Sequence, residues 1–199
     1  MHILLTGARG VGKSTAIRRA LDILLAGGAQ VAGGFLTWKG GDGDLALYIS
    51  PVGADGAAAG EKCRVASFND EIKRMSPDIR AFETEGVRIL REGAAGMPAA
   101  RQGHAALHDA NAGRANDAKS AGRLIIMDEL GFLEGEAEQF KQAVYDTLEG
   151  DTPVLGALRA GDIPWHMRIK DNPKVTVLTI DESNRDEMPR LLVGIATFW

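Results

Sequence analysis

The stretch that decides the fold is residues 7–14, Gly-Ala-Arg-Gly-Val-Gly-Lys-Ser. It satisfies the pattern G-x-x-x-x-G-K-[ST], a loop whose backbone amides wrap a phosphate chain because glycine leaves them room to approach. A short aliphatic strand is predicted before it at 2–6, and a helix with apolar residues at helical spacing is predicted after it at 14–26. Strand, loop and helix in this order predict a phosphate site at the N-terminus of that helix.

The end of this loop carries the predicted charge chemistry. Lys13 is placed to neutralise the β and γ phosphates of a nucleoside triphosphate, and the Ser14 hydroxyl can enter the coordination shell of Mg²⁺. Thr15 is one position too late for the metal but belongs to the predicted binding segment. A glycine-rich turn with an incidental Lys-Ser pair is the alternative, which the flanking elements disfavour. The predicted nucleotide-binding residues are Gly7, Ala8, Arg9, Gly10, Val11, Gly12, Lys13, Ser14 and Thr15.

A second group of polar residues follows an apolar strand predicted at 124–127. Asp128 and Glu129 come directly after it, and ligands of open α/β sheets bind at the carboxyl ends of the strands. Asp128 fits the acid that holds Mg²⁺, usually through a bound water. Because side chains alternate along an extended backbone, we expect Glu129 to point elsewhere and to orient an attacking water, or to act as its base. Two surface acids at a strand end are the alternative interpretation.

Arg159 is a third candidate at the same edge. It follows a strand predicted at 153–158, and an arginine supplied by the chain itself can stabilise the charge of a phosphoryl-transfer transition state. An ordinary surface arginine is the alternative. The sequence therefore predicts Lys13, Glu129 and Arg159 as catalytic residues and Ser14 with Asp128 as metal ligands.

The remaining pattern alternates strands with helices. Further strands are predicted at 31–38 and 45–52, as an antiparallel edge hairpin around a glycine-rich turn at 40–43, and at 62–68 and 175–180. Helices are predicted at 78–92, after a start at Glu134, Glu136 and Glu138, and after a capping box at Ser183 and Asp186. This order predicts an α/β fold with a mostly parallel sheet flanked by helices.

The domain organisation is predicted to be simple. We expect a single domain over 1–199, in which 93–122, rich in Ala, Gly, Asn and Asp, is a candidate mobile insert or lid. Within it a helix is a candidate at 98–111. His104 and His108 are four residues apart there, but without the glutamate of an H-E-x-x-H site we predict no zinc ligation.

The composition excludes several classes of protein. The 199 residues are 45% hydrophobic and 25% charged, which is typical of a folded globular chain. With 23 basic and 27 acidic side chains the formal charge is −4, so no overall positive field favours nucleic acid or an anionic membrane, and we expect neither as a partner. Cys63 is the only cysteine, which excludes an intrachain disulfide and favours the cytoplasm.

Several segments, in the same order along most of the chain, resemble the thermophile-type or cancer-related nucleoside-triphosphatases. They are the phosphate loop, Gly33-Gly34-Phe35-Leu36-Thr37, Asp128-Glu129-Leu130-Gly131, Pro153-Val154-Leu155-Gly156, and Asn184-Arg185 after Val175. The chain departs from that pattern at 38–43 and 93–122. The resemblance implies a P-loop fold of the RecA-like kind, Mg²⁺ dependence, loose choice of base, and hydrolysis of the triphosphate to the diphosphate.

We therefore predict a Mg²⁺-dependent enzyme that hydrolyses ATP, GTP or another nucleoside triphosphate. One alternative is a small-molecule or nucleotide kinase that uses the same loop. Its lid would be 93–122, with basic side chains near the transferred phosphate at Arg101, Arg114, Lys119 and Arg123. A second alternative is a nucleotide-dependent switch that loads or releases a protein partner, and the sequence does not identify such a partner.

Overall fold

A computed structural model gives the fold and describes residues 1–96, 122–197 and 199. Within these ranges the strands are β1 (His2–Gly7), β2 (Gln30–Lys39), β3 (Leu47–Pro51), β4 (Cys63–Asn69), β5 (Arg74–Pro77), β6 (Arg123–Leu130), β7 (Val154–Arg159) and β8 (Val175–Thr179). The helices are α1 (Lys13–Ala26), α2 (Ile79–Ala81), α3 (Val87–Ala94), α4 (Glu138–Glu149), α5 (Pro164–Lys170) and α6 (Met188–Ala196). A π-helical turn, Phe82–Gly86, joins α2 to α3.

One eight-stranded sheet runs through the described residues in the order β5-β4-β3-β2-β6-β7-β1-β8. Strands β6, β7, β1 and β8 pair in parallel and form what we call the parallel half. Strands β2 to β5 pair antiparallel and form the antiparallel half, which joins the other half through parallel pairing of β2 with β6. The predicted α/β class with an antiparallel edge is confirmed.

The antiparallel half is larger than the predicted hairpin. The strands predicted at 31–38 and 45–52 pair as expected, and the strand predicted at 62–68 adds to them as β4. Strand β5 was not predicted, because its four residues lack an alternating apolar pattern and end in Pro77. Proline is tolerated there because β5 is an edge strand of the sheet.

Glycines make the junction between the two halves possible. Gly34 of β2 has φ +108° and pairs with Ile126 of β6, and a Cβ atom on it would lie 1.9 Å from the Ile126 carbonyl oxygen. A Cβ atom on Gly33 would lie 2.5 Å from the Cα atom of Gly93 on α3. Helix α3 and strand β6 can therefore approach β2 only because these positions carry no side chain.

Helices cover both faces of the sheet and produce two buried clusters. On one face, α3 and α4 contribute to a cluster in which Phe140 contacts Phe35 and Phe82, with ring centroids 5.8 and 5.4 Å apart. On the other face, α1 and α6 pack on each other and bury apolar residues of β1 and β7. Strands β1, β6 and β7 are thus buried on both sides, as their apolar sequences indicate, whereas the edge strand β8 is only partly buried.

Two of the helix predictions need correction. The predicted helix at 78–92 is helical, but it contains the π-helical turn and ends at Ala94. The predicted helix start at Glu134 is wrong, because α4 begins at Glu138 and Glu134 is a buried side chain in the preceding loop. Its carboxylate accepts a hydrogen bond from the Gly131 amide, which explains why it does not belong to the helix.

The predicted capping box at Ser183 is also wrong. The acceptor is Asp181, whose Oδ1 receives hydrogen bonds from the amides of Ser183 and Asn184 at 2.8 and 3.2 Å, and α6 begins only at Met188. The helix predicted at 98–111, His104, His108 and most of the candidate lid lie outside the described residues. Among the described helices, none is long and apolar enough to cross a membrane.

Candidate active site

The phosphate loop connects the end of β1 to the first residue of α1, as predicted. Gly10 and Gly12 have φ values of +78° and +113°, in the region that glycine adopts most readily. Strand β1 lies between β7 and β8, so the loop emerges at the carboxyl edge of the parallel half. The backbone geometry that a phosphate-wrapping loop requires is therefore present.

Lys13 extends back over the loop rather than into solvent. Its side chain is 6% exposed, and Nζ donates to the carbonyl oxygens of Gly7 and Ala8 at 3.1 and 3.3 Å. The same Nζ lies 3.1 Å from Oε2 of Glu129. Because the first two acceptors belong to the loop itself, the ammonium lies across the loop and beside the Glu129 carboxylate.

An oxygen atom of Ser14 and one of Asp128 lie close to each other at the end of the loop. The Ser14 hydroxyl donates to Oδ1 of Asp128 at 3.1 Å. Burial raises the pKa of Asp128 to about 6, although the Ser14 hydrogen bond lowers it, and the Glu129 charge raises it further. A hydroxyl and a carboxylate are hard oxygen donors that suit Mg²⁺, and a cation there would favour the ionised form of Asp128.

Mg²⁺ fits this donor set better than a metal that needs many protein ligands. Among the residues that the structure describes, no group of three or more His, Cys, Asp or Glu side chains could hold a metal ion. Mg²⁺ usually keeps several waters and takes only one or two carboxylates together with substrate phosphates. Ser14 and Asp128 are therefore the residues that could hold it.

The position of Glu129 beside the loop does not follow from the regular alternation of side chains along β6. The pairing of β6 with β7 shifts register between Met127 and Leu130, so the regular alternation is interrupted where the carboxylates occur. The Glu129 amide donates to Oγ1 of Thr37 on β2 at 3.1 Å. Thr37 was not predicted to contribute to the site; the Gly-Phe-Leu-Thr segment was the available signal.

A clamp around the Gly131 peptide supports the segment that follows Glu129. Oε2 of Glu134 accepts from the Gly131 amide at 3.1 Å, and Nε1 of Trp165 donates to the Gly131 carbonyl oxygen at 2.9 Å. Burial raises the pKa of Glu134, which is 2% exposed, to about 7, against the opposing effects of the Gly131 amide and the Arg159 charge. Sequence reasoning gave neither Glu134 nor Trp165 this role.

Arg159 ends β7 at the level of the phosphate loop, where its Cα atom pairs with that of Gly7. Its guanidinium carbon lies 4.7 Å from the centroid of the exposed Phe132 ring. Together with Arg9 it lines a cavity beside Glu129. The structure thus brings the loop, Asp128, Glu129 and Arg159 to one edge of the sheet.

Of the basic residues proposed for the kinase alternative, Arg123 is described by the structure, and it is not at this edge. Arg123 is the first residue of β6, at the opposite end from the carboxylates, and it donates to the Gly96 carbonyl oxygen at 2.7 Å. Its predicted place near a transferred phosphate is therefore wrong. Arg101, Arg114 and Lys119 lie outside the described residues.

A cleft of about 300 Å³ lies on the other side of the loop. Thr15, Arg19 and Arg185 line it, together with loop glycines and Asp186. Asn184 is engaged in local hydrogen bonds with Thr179 and the Asp181 amide. Of the Asn184-Arg185 pair, only Arg185 lines this cleft.

Comparison with known proteins places these features in context. A family profile described as NTPase matches residues 2–193. The nucleoside-triphosphatase THEP1 of Thermotoga petrophila is 28% identical over 198 residues, covering 100% of this chain and 94% of that protein. The human cancer-related nucleoside-triphosphatase is 27% identical over 206 residues, covering 94% of this chain and 92% of that protein.

Solved structures show a similar fold. The crystal structure of THEP1 from Aquifex aeolicus has a TM-score of 0.66 and 20% identity and covers 98% of both chains. The solution structure of a human cancer-related nucleoside triphosphatase has a TM-score of 0.62 and 22% identity, and covers 98% of this chain and 95% of that one.

Proposed function

This chain belongs to the NTPase family, and we propose on that premise that it hydrolyses nucleoside triphosphates to diphosphate and phosphate with the help of Mg²⁺. The observation that carries the proposal is the convergence of two contacts at the phosphate loop. Nζ of Lys13 lies 3.1 Å from Oε2 of Glu129, and Oγ of Ser14 lies 3.1 Å from Oδ1 of Asp128. One pair suits the γ-phosphate and the attacking water, and the other suits the metal.

Ser14 and Asp128 would hold the Mg²⁺ ion. Bound there, the ion would supply positive charge that offsets the negative charge of the β and γ phosphate oxygens. The loop amides and the N-terminus of α1 would hold the same phosphates from the other side. Positioning and charge neutralisation together account for most of the catalysis that a phosphoryl transfer needs.

Lys13 and Glu129 would exchange partners when the substrate enters. A γ-phosphate in the loop competes for the Lys13 ammonium, because phosphate carries more charge than the loop carbonyl oxygens or Glu129. The released Glu129 carboxylate then orients a water toward the γ-phosphorus and accepts its proton. Thr37 holds the Glu129 backbone during this step through its hydrogen bond to the Glu129 amide.

We assign the nucleoside to the cleft on the far side of the loop. Thr15, Arg19 and Arg185 line that cleft, and flexible arginine side chains can contact any base through their planar faces. This supports loose base selectivity. For the cellular compartment we propose the cytoplasm, because the single cysteine, Cys63, leaves no partner for an intrachain disulfide.

Phosphate release with Mg²⁺ and each of ATP, GTP, CTP and UTP tests the proposal on wild type, Lys13→Ala and Glu129→Gln. We expect Lys13→Ala to lose nucleotide binding. We expect Glu129→Gln to bind a fluorescent ATP analogue as wild type does, while kcat falls by about 10²–10⁴. Lys62→Gln, which removes a lysine from the surface beside Tyr48, is the matched control. Wild-type turnover by Glu129→Gln would contradict the role given to that residue.

A further inference from the structure

The cavity that begins at Glu129 extends away from the phosphate loop into the antiparallel half. It has a volume of about 160 Å³. Its lining includes Lys39, Leu47 and Met75, from β2, β3 and β5, together with Phe132 and Arg159. An attacking water needs only about 30 Å³, so hydrolysis alone does not account for a cavity of this size.

The charges around the cavity favour an anion. Arg9, Lys39 and Arg159 line it, and none of the three forms a salt bridge within the part of the chain that the structure describes. Of the two carboxylates in the lining, Glu129 is already paired with Lys13, and Glu134 is buried against the Gly131 amide. The cavity therefore presents three cationic side chains, of which the charge of Arg159 is partly offset by Glu134.

The lining also leaves room for a small carbon skeleton. Leu47, Met75 and Phe132 contribute apolar surface to the cavity. A cavity of about 150 Å³ can hold one benzene molecule, so a ligand of about six to eight non-hydrogen atoms fits. A small molecule can thus place an anionic group among the cations while another of its atoms lies beside Glu129.

We propose that this cavity binds a small alcohol that carries a carboxylate or phosphate group, and that the enzyme transfers the γ-phosphoryl group to its hydroxyl. The inference rests on the proposed function for delivery of the γ-phosphate to Glu129. The hydroxyl oxygen forms a bond to the γ-phosphorus, and the bond from that phosphorus to the β,γ-bridging oxygen breaks. The proton passes to Glu129, and the nucleoside diphosphate leaves with the electron pair of the broken bond.

Lys39 is the residue that separates this activity from hydrolysis. It is exposed at the end of β2 and lines the cavity, and no hydrogen bond or ion pair joins its side chain to the phosphate loop within the described residues. The Arg9 and Arg159 side chains can serve either reaction because both lie beside the loop. Neutralising Lys39 should therefore weaken the binding of an anionic acceptor and leave the rate of hydrolysis unchanged.

The test uses the full chain with Mg²⁺ and ATP labelled at the γ-phosphate. The acceptors are glycerate and 2-hydroxyethyl phosphate, which separate the carboxylate from the phosphate anion, and their neutral counterparts are glycerol and ethylene glycol. We expect labelled product from at least one anionic alcohol, at a rate about tenfold above that of its neutral counterpart, because an ionised group strengthens each hydrogen bond.

Two variants locate the transfer in the cavity. Lys39→Gln should raise the KM of the anionic acceptor about tenfold and leave that of the neutral counterpart unchanged. Met75→Trp should fill the cavity and reduce transfer to every acceptor, with acceptor-free phosphate release unchanged. Lys62→Gln is the matched control, since Lys62 stacks on Tyr48 outside this cavity.

The outcomes separate the two proposals. Continued phosphate release without labelled product from either anionic alcohol overturns the acceptor site and leaves hydrolysis intact. Equal labelling of anionic and neutral alcohols, or a Lys39→Gln variant with unchanged acceptor KM, also overturns it. Labelled product without acceptor-free phosphate release supports the acceptor site and contradicts hydrolysis as the main reaction.

Discussion

The parallel half and the antiparallel half of the sheet contribute to the same site in different ways. The parallel half supplies Lys13, Asp128, Glu129 and Arg159, all at or just after the carboxyl ends of β1, β6 and β7. The antiparallel half supplies Thr37, which holds the Glu129 backbone, and the wall of the cavity beyond it.

This difference separates the chemistry from the shape of the site. Carboxyl ends of parallel strands meet at one edge of a sheet, and loops there can wrap a charged ligand. Antiparallel strands can have exposed faces and edges, so they can form the wall of an open cavity. Changes in the parallel half should therefore affect phosphoryl transfer, whereas changes in the antiparallel half should affect what else can bind.

The largest expected effect is at the junction of the two halves. Gly34→Val places a Cβ atom 1.9 Å from the Ile126 carbonyl oxygen at a residue with φ +108°. The β2–β6 pair must separate to relieve this contact. We expect the free energy of unfolding to fall by more than about 4 kcal/mol, because backbone strain and a lost strand pair add. Urea unfolding, or loss of soluble protein on expression, measures this.

Gly41→Ala is the matched control for that variant. Gly41 lies in the turn of the antiparallel half, and a Cβ atom there would meet no other atom within 4 Å. We expect a change within about 0.5 kcal/mol. If Gly34→Val were as stable as Gly41→Ala, the two halves would not depend on the close approach of β2 to β6.

The sequence predicted the parallel half well because its signals are local. The phosphate loop occupies consecutive residues between a strand and a helix, and the pair Asp128-Glu129 follows its own apolar strand. Each of these patterns carries its geometry within about ten residues. The topology then brings the carboxyl ends of β1 and β6 to the same edge without further information.

The remaining parts depend on contacts between distant segments. Glu134 has the composition of a helix start, and only its burial against Gly131 and Trp165 identifies it as a support for the site. Strand β5 has no pattern of its own and forms because β4 offers it an edge. Side-chain alternation predicted that Glu129 points away from Asp128, but the register shift between Met127 and Leu130 could not be predicted, because it depends on pairing with β7.

A smaller effect is expected in the core that both halves share. Phe140 of α4 lies between Phe35 of β2 and Phe82 of the π-helical turn and is fully buried. Phe140→Ala leaves a large cavity, so we expect a loss of about 3–5 kcal/mol of unfolding free energy. Val65→Ala, in the buried part of β4, should lose only about 2 kcal/mol because it removes two methyl groups rather than a phenyl ring. Urea titrations at constant pH compare the two.

Acid should destabilise the fold through two buried histidines, one on β1 and one on α5. Burial lowers the pKa of His2 on β1 and of His166 on α5 from 6.5 to about 4, with nearby positive charges at the N-terminus, Lys174 and Lys170. The unfolded chain therefore binds more protons between pH 4 and 6.5, and stability falls as the pH falls through that window. After a discount for solvent screening, we expect the two histidines together to lower the free energy of unfolding by about 2 kcal/mol between pH 7.5 and 5.

Unfolding of His2→Gln and His166→Gln at the same two pH values measures this contribution. Each variant should show a smaller loss of stability between pH 7.5 and 5 than wild type does, whatever its stability at pH 7.5. The comparison of differences removes the cost of replacing a buried ring. A loss equal to that of wild type in both variants would assign the acid sensitivity to other groups.

The smallest expected effect has the opposite dependence on pH and comes from the clamp around Gly131. The pKa of Glu134 is raised to about 7 from 4.5, so the folded chain binds more protons than the unfolded chain between these values. Stability from this group is therefore present at low pH and is lost as the pH rises through 7. Glu134→Gln keeps an oxygen acceptor for the Gly131 amide and cannot ionise. The free energy of unfolding of wild type should therefore fall by about 1 kcal/mol relative to that of Glu134→Gln between pH 6 and 8. Urea unfolding at the two pH values tests this, with the exposed Glu136→Gln as control, and a parallel response of all three proteins would exclude Glu134 as the titrating group.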